Sequence, residues 1–393
     1  MNDLSLVDAE AARMGDEMVR LRRDFHAHPE LGLKEKRTSG IVAGYLRGLG
    51  LEVETGIAGT GVVGLLAGGA PGMTLMLRSD MDALPVQEKG EAPYRSRTKN
   101  VMHACGHDGH MANLLGTAAV LSRFRERLRG QVKFVFQPAE EFPGGAKLMV
   151  EEGVLENPRV DAAFGLHLVT SLPLGCIGWS RGVMMAAMDS FTLRIRGKSG
   201  HSAMPEGSVD AILAGARVIS ALQDLIVRDV SSPKAALVNV GTITGGSASN
   251  VVAEEVVLTG TVRTIDRDVR AGFPAAMMRA IGEAAGGMKA SFELDYEHGY
   301  PPLVNDPAMS DLFAEVIRQT PWGQGLIELP PVMGSEDMSF YLERVPGSFV
   351  FLGAGNPERG LTAPLHSSRF DFDESALVMG ATLFSRLALT FLG

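Results

Sequence analysis

Between residues 61 and 168 the chain passes repeatedly from a short apolar run to a helical stretch, and chemically active side chains follow the runs closely. Gly61 to Ala67 and Met73 to Ser79 are expected as buried strands, Met111 to Arg125 as an amphipathic helix, and Val132 to Gln137 as another strand. A helix near Ala146 to Glu152 and a strand from Ala162 to Leu168 continue the rhythm. This order specifies an α/β sheet with helices on its faces. Asp80 and Asp82, Glu140 and Glu141, and His167 each stand at or just past the carboxyl end of an expected strand. Groups that bind or react collect beyond those ends in open α/β sheets, so a single site accounts for all of them.

The texture changes near Met185. Phe191 to Arg196 alternates apolar and polar residues, and a helix is expected from about Val209 to Val227. Strands near Ala236 to Thr244 and Val256 to Arg263, a helix near Arg270 to Ala284 and a strand near Ala290 to Tyr296 follow. That β-α-β-β-α-β order suits an α+β domain: a four-stranded antiparallel sheet with two helices. The α/β texture resumes at about His298, with a helix near Met309 to Gln319 and a strand at Phe349 to Leu352. Residues 1–184 and 298–393 are therefore expected to form one domain, with 185–297 inserted into it.

A chain of 393 residues exceeds what one core usually serves, and 45% apolar with 21% charged residues is ordinary globular composition. A net charge of −9 and a pI near 5.6, with no long basic run, argue against a nucleic-acid partner. The N-terminal stretch from Asp3 to Arg23 resembles a polar amphipathic helix rather than a signal peptide, and no apolar stretch has the length of a membrane span. A cytoplasmic location without a membrane partner is the expectation.

Val101 to His110 holds three histidines, an aspartate and one of only two cysteines. Thiolate and neutral imidazole are preferred ligands of zinc and related divalent ions, so the segment points to a metal site. Cys105 and Cys176 could form a disulfide, but the histidines around Cys105 favour a reduced, metal-bound thiolate. In Gln137 to Glu141, two adjacent carboxylates point in different directions and suit two jobs. One can bind metal while the other takes a proton from water whose pKa a divalent cation lowers to about 7. The residues alone leave open which does which.

Arg78 to Pro85, the His-Ala-Cys-Gly-His-Asp-Gly-His run, Gln137 to Glu141 and Gly165 to His167 resemble the amidohydrolase branch of the aminoacylase and carboxypeptidase family of dimetal hydrolases. That branch contains hippurate hydrolases, N-acyl-amino-acid deacylases and auxin-conjugate hydrolases. The likeness continues in order through Gly197 to His201, Ser249 to Val252, Gly260 to Arg263, Met333 to Asp337 and Pro364 to Ser367. It implies a two-metal catalytic domain with an inserted lid that dimerises. By resemblance, Cys105, His107, Glu141, His167 and His366 are the metal ligands, and Glu140 is the general base and acid. His201 helps polarise the scissile carbonyl, and Asn250 and Arg263 hold the substrate carbonyl and carboxylate. A homodimer follows from the same resemblance.

Glu206 stands where relatives often carry histidine, and Ala253 replaces a common proline; both leave the reaction intact and bear on substrate preference. Asp80 and Asp82 are expected to orient ligands rather than to ligate, as are His103 and His110. His26 and His28, in a loop before Pro29, are expected to be structural; His298 is placed in the hinge and Cys176 in packing. Glu336 and Asp337 are expected to support the metal site, and Met184, Met185 and Met188 to pack in a core or hinge.

The implied activity is hydrolysis of N-acyl-L-amino acids to a carboxylic acid and a free amino acid by metal-activated water. Two divalent ions, zinc or manganese foremost with cobalt or nickel also acceptable to these donors, are the implied cofactors. A dipeptidase or carboxypeptidase using the same machinery is the alternative.

Overall fold

The computed structural model describes residues 3–141, 143–229 and 236–393. The chain divides into two compact units: Met1–Met184, Val304–Pro330 and Asp337–Gly393 make the larger, and Met185–Leu303 with Pro331–Glu336 the smaller.

The larger unit is built on an eight-stranded mixed sheet in the order Glu52–Ile57, Gly61–Ala67, Arg129–Gln137, Ala70–Asp80, Ala162–Pro173, Gly347–Gly355, Ile177–Trp179 and Leu326–Glu328. Its central strands are parallel, and their alternating side chains feed two opposite layers. Val132, Phe134 and Phe136 join the core that holds Leu114, Leu115 and Ala118 of helix His107–Arg123. Lys133, between them, points the other way and donates to the carbonyls of Val154 and Pro158, just beyond helix Gly145–Glu151. Helices therefore cover both faces.

Several boundaries differ from the sequence expectation. The expected N-terminal helix is two, Asp3–Arg13 and Gly15–Ala27, and Arg22 in the second is fully buried rather than solvated. His26 belongs to that second helix and not to a loop. The helix expected from Met111 begins four residues earlier, at His107, because Gly106 adopts a left-handed φ of 91° and turns the chain into it. The strand expected from Ala162 to Leu168 runs on to Pro173, since it keeps a parallel partner in Gly347–Gly355.

In the smaller unit the strand order is Ala236–Gly245, Glu255–Thr264, Ala187–Arg196, Ser291–Tyr300, all antiparallel. Helices Ala211–Asp229 and Arg267–Gly286 share its core through residues such as Val218, Leu222, Phe273 and Met277. The second helix starts three residues before Arg270 because the Asp266 carboxylate caps the N–H groups of Asp268 and Val269. The boundary expected at 297/298 lies at 303/304, since Ser291–Tyr300 remains paired as far as Tyr300 opposite Met188. Pro331–Glu336 joins this unit through the Ala186 N–H, which faces the carbonyls of Val332 and Gly334. Among the described residues no helix is long and apolar enough to cross a membrane.

Candidate active site

Strand register brings the chemistry to one end of the larger sheet. Asp80 pairs with Gln137, and Arg78 pairs with Gly165, which sets His167 level with Asp80. The chain leaves Gln137 through Pro138 and Ala139 to Glu140 and Glu141, and Ala139 holds a left-handed φ of 51°. For a residue with a Cβ this backbone costs on the order of 1 kcal/mol and persists only where its surroundings fix it. They do so here from both sides. The Ala139 carbonyl accepts from the N–H groups of Gly144 and Gly145, at 3.0 and 2.9 Å. A Cβ on Gly145 would lie 1.8 Å from the Pro138 carbonyl oxygen, so this closure requires glycine.

Asp82 holds the two carboxylate-bearing residues apart. Its Oδ1 accepts the Glu140 N–H at 2.9 Å and its Oδ2 the Glu141 N–H at 3.1 Å, while its backbone carbonyl accepts from Nδ1 of His107 at 2.9 Å. In the neutral ring the His107 proton is thereby committed to Nδ1, and Nε2 is buried without a hydrogen-bond partner. His167 repeats the arrangement: Nδ1 donates to the Leu168 carbonyl at 2.8 Å, and Nε2 lies 3.4 Å from the Cys105 sulfur. An imidazole anchored through one nitrogen with the other presented to a shared point is the form that binds a metal. His110 is different. Nδ1 meets Asp80 at 2.7 Å and Nε2 accepts the Leu168 N–H at 2.9 Å, so it orients its neighbours and has no lone pair to offer.

Cys105, His107 and His167 have ligand atoms within 4.8 Å of one another, as do Cys105, Glu141 and His366, and His107, Glu140 and Glu141. Cys105, His107 and Glu141 each belong to two of these sets, so the sets form one contiguous group of donors that would hold two cations. His366 arrives from the distant C-terminal segment with a left-handed φ of 65°, its N–H bound to the Ala104 carbonyl at 2.7 Å and its Nε2 2.9 Å from Glu141. Burial, then the nearby Glu141 and Glu140 carboxylates, push the Cys105 thiol well above its ordinary pKa. Burial opposes a charge on His107, yet Asp80 and Asp82 raise its pKa to about 10. Acidic groups that disfavour a free thiolate and hold a proton on imidazole are the groups a divalent cation would satisfy. The donors fit a metal pair.

Buried charges brace this end from behind. Arg78 links Gln137, Asp80 and Asp337, and Asp337 also accepts from the Gln137 amide and the Ala146 N–H. Asp337 thus supports the Gln137 side of the turn. Asp108 accepts from Arg22 at 2.8 Å and meets His26 Nδ1 at 2.8 Å, and Arg22 reaches on to Asp371 and Glu374. Burial opposes a charge on His26, but Asp108, with Glu88, raises its pKa to about 8. Sequence reading did not find Arg22 or Arg78 as buried groups; an arginine directly following the apolar run Leu75–Leu77 was the available signal for Arg78.

The remaining expected site residues lie in the smaller unit. His201 pairs with Val251 in a two-stranded ribbon, its Nδ1 accepts the Ala203 N–H at 3.1 Å, and the Asn250 carbonyl accepts the Ser202 N–H. Arg263 donates to the Ser335 hydroxyl at 3.0 Å, and burial lowers its pKa. His298 meets Asp189, which also binds Arg270 and Tyr296.

Residues 76–390 match the model of peptidase family M20/M25/M40. The chain belongs to this family. It is 38% identical over 380 residues to thermostable carboxypeptidase 1 of Saccharolobus solfataricus, covering 96% of this chain and 95% of the relative. It is 36% identical over 376 residues to an N-acetylcysteine deacetylase of Bacillus subtilis, covering 95% and 97%. The solved structure of Bacillus subtilis YXEP, a dinuclear metal-binding peptidase of the M20 family, superposes with a TM-score of 0.85 at 33% identity, over 97% of this chain and 99% of that one. The protein is a hydrolase acting on amide bonds.

Proposed function

We propose that the protein cleaves the amide bond of N-acyl-L-amino acids, with two divalent cations held by Cys105, His107, Glu141, His167 and His366. The observation that carries this reading is the set of buried donors at one sheet end, with Glu140 beside them and its backbone fixed by Asp82. The likeness to an N-acetylcysteine deacetylase over 95% of the chain supports the substrate class. Bound cations supply polarisation of the scissile carbonyl and a water of lowered pKa. Glu140 takes the proton from the attacking water and returns it to the departing amine. His201, whose Nδ1 accepts the Ala203 N–H, carries its proton on Nε2 when neutral and donates it to the developing oxyanion. Arg263 is half-buried with a serine hydroxyl as neighbour and no carboxylate paired to it among the described residues, which suits it to the substrate carboxylate; Asn250 holds the acyl oxygen.

A second reading, hydrolysis of unblocked peptides, is favoured by the likeness to thermostable carboxypeptidase 1. Assays of N-acetyl and N-benzoyl amino acids, their carboxamides and unblocked dipeptides separate the two. We expect kcat/KM for N-acyl amino acids to exceed that for the carboxamides by about a hundredfold, the worth of a buried ion pair. Turnover confined to unblocked dipeptides would replace the first reading with the second.

We further propose a homodimer formed through the smaller unit. Among the described residues, seven of the ten exposed large apolar side chains lie on it: Met204, Ile212, Leu213, Leu237, Ile243, Val251 and Met278. Their number on this unit supports an interaction surface there. Sedimentation equilibrium is expected to give twice the chain mass of 41.8 kDa, and a monomer at micromolar concentration would refute it.

A further inference from the structure

The geometry points to Glu35 as a positioning residue for Glu140, acting through the strained peptide at Ala139; this rests on the assignment of Glu140 as the proton-transfer group. Glu35 is completely buried at the start of helix Lys36–Gly48, far in sequence from the turn it serves. Its Oε1 accepts the Ala139 N–H at 3.0 Å, and its Oε2 accepts the Thr60 hydroxyl at 2.6 Å. Thr60 lies on the tight connection between strands Glu52–Ile57 and Gly61–Ala67 and is itself buried.

With Asp82, Glu35 completes a run in which two buried carboxylates hold the N–H groups of three consecutive residues, Ala139, Glu140 and Glu141. The two have different tasks. Asp82 fixes the peptides of the reacting residues themselves, whereas Glu35 fixes the one before them, where the backbone is left-handed. With its carbonyl already held by Gly144 and Gly145, Ala139 needs an acceptor on its N–H to stop the peptide from turning toward ordinary φ. A turn there would swing the Glu140 carboxylate away from the water it serves, and a displacement near 1 Å costs up to about a hundredfold in rate.

A buried carboxylate is costly, and burial raises the Glu35 pKa with Asp82 adding to the effect. The N-terminus of helix Lys36–Gly48 offsets part of that cost, since Glu35 stands at its cap position. The cost falls on a carboxylate that ties the segment leading to Glu140, through the Ala139 N–H, to the Thr60 hydroxyl.

Three variants test this: Glu35→Gln, Glu35→Asp and the milder Thr60→Val, each compared with wild type in its metal-loaded form. For Glu35→Gln we expect kcat to fall about tenfold with KM within a factor of two, bound metal per chain unchanged, and amide exchange at Ala139 at least tenfold faster. Thr60→Val, which leaves the carboxylate but removes its second partner, should lower kcat by about threefold, and Glu35→Asp should recover part of the loss. A lower melting temperature with wild-type kcat in the folded fraction would make Glu35 a purely structural residue and overturn the proposal. Wild-type exchange at Ala139 would overturn it as well. Exchange is read without substrate, so a failure of the Glu140 assignment appears separately, as wild-type turnover in Glu140→Gln.

Discussion

Glu140→Gln is expected to lower kcat by about three orders of magnitude on whichever amide the wild type cleaves, the middle of the range for loss of a positioned acid-base group. The substitution keeps side-chain length and leaves the Asp82 contact to the residue-140 N–H intact, so the turn retains its shape. Metal content per chain and melting temperature should match the wild type. KM should also change little, because the lost interaction is made while the proton moves. Turnover within tenfold of wild type would remove Glu140 from the reaction and make Glu141 the carboxylate to test for proton transfer.

Chelation gives the second large effect. Stripping divalent ions is expected to reduce turnover to background, and adding back zinc or manganese to restore it. A cation present at a thousand times its dissociation constant stabilises the folded chain by about 4 kcal/mol, so the stripped protein should also melt earlier. Metal uptake should weaken at low pH. His107, with its pKa near 10 in the absence of metal, must release a proton to bind, so rising pH favours loading. Turnover that survives complete removal would direct attention to thiol chemistry at Cys105. The elevated pKa of that buried thiol argues against a free thiolate there.

Much of the site was legible because its groups are chemically unusual for their places. Adjacent glutamates after an apolar strand, and a cysteine with histidines two residues to either side, have no ordinary packing reason to occur together. Several strands and helices were legible from apolar periodicity, which changes character near Met185, whereas the order of the strands within the large sheet was not. The first turn of helix His107–Arg123 was missed because polar residues there mask the period, although Gly106 marked the start. Helix Lys36–Gly48 and strand Glu52–Ile57 went unread, and Glu35 with them, since neither carries an obvious motif.

From sequence alone came the donor types, the expectation that two adjacent carboxylates serve separate jobs, and the placement of reactive groups at strand ends, because side-chain chemistry and periodicity are local properties. The tertiary structure decided which nitrogen of each histidine faces the shared point, why His110 is excluded, and how Arg22 and Arg78 are buried against their acids. It also showed that Ala139 is held in a strained conformation from Glu35, 104 residues away. Apart from the His167–Leu168 and Arg78–Asp80 contacts, those outcomes depend on hydrogen bonds between segments distant in the chain. No local pattern encodes them, because each partner is chosen only once the sheet has set the strands in register.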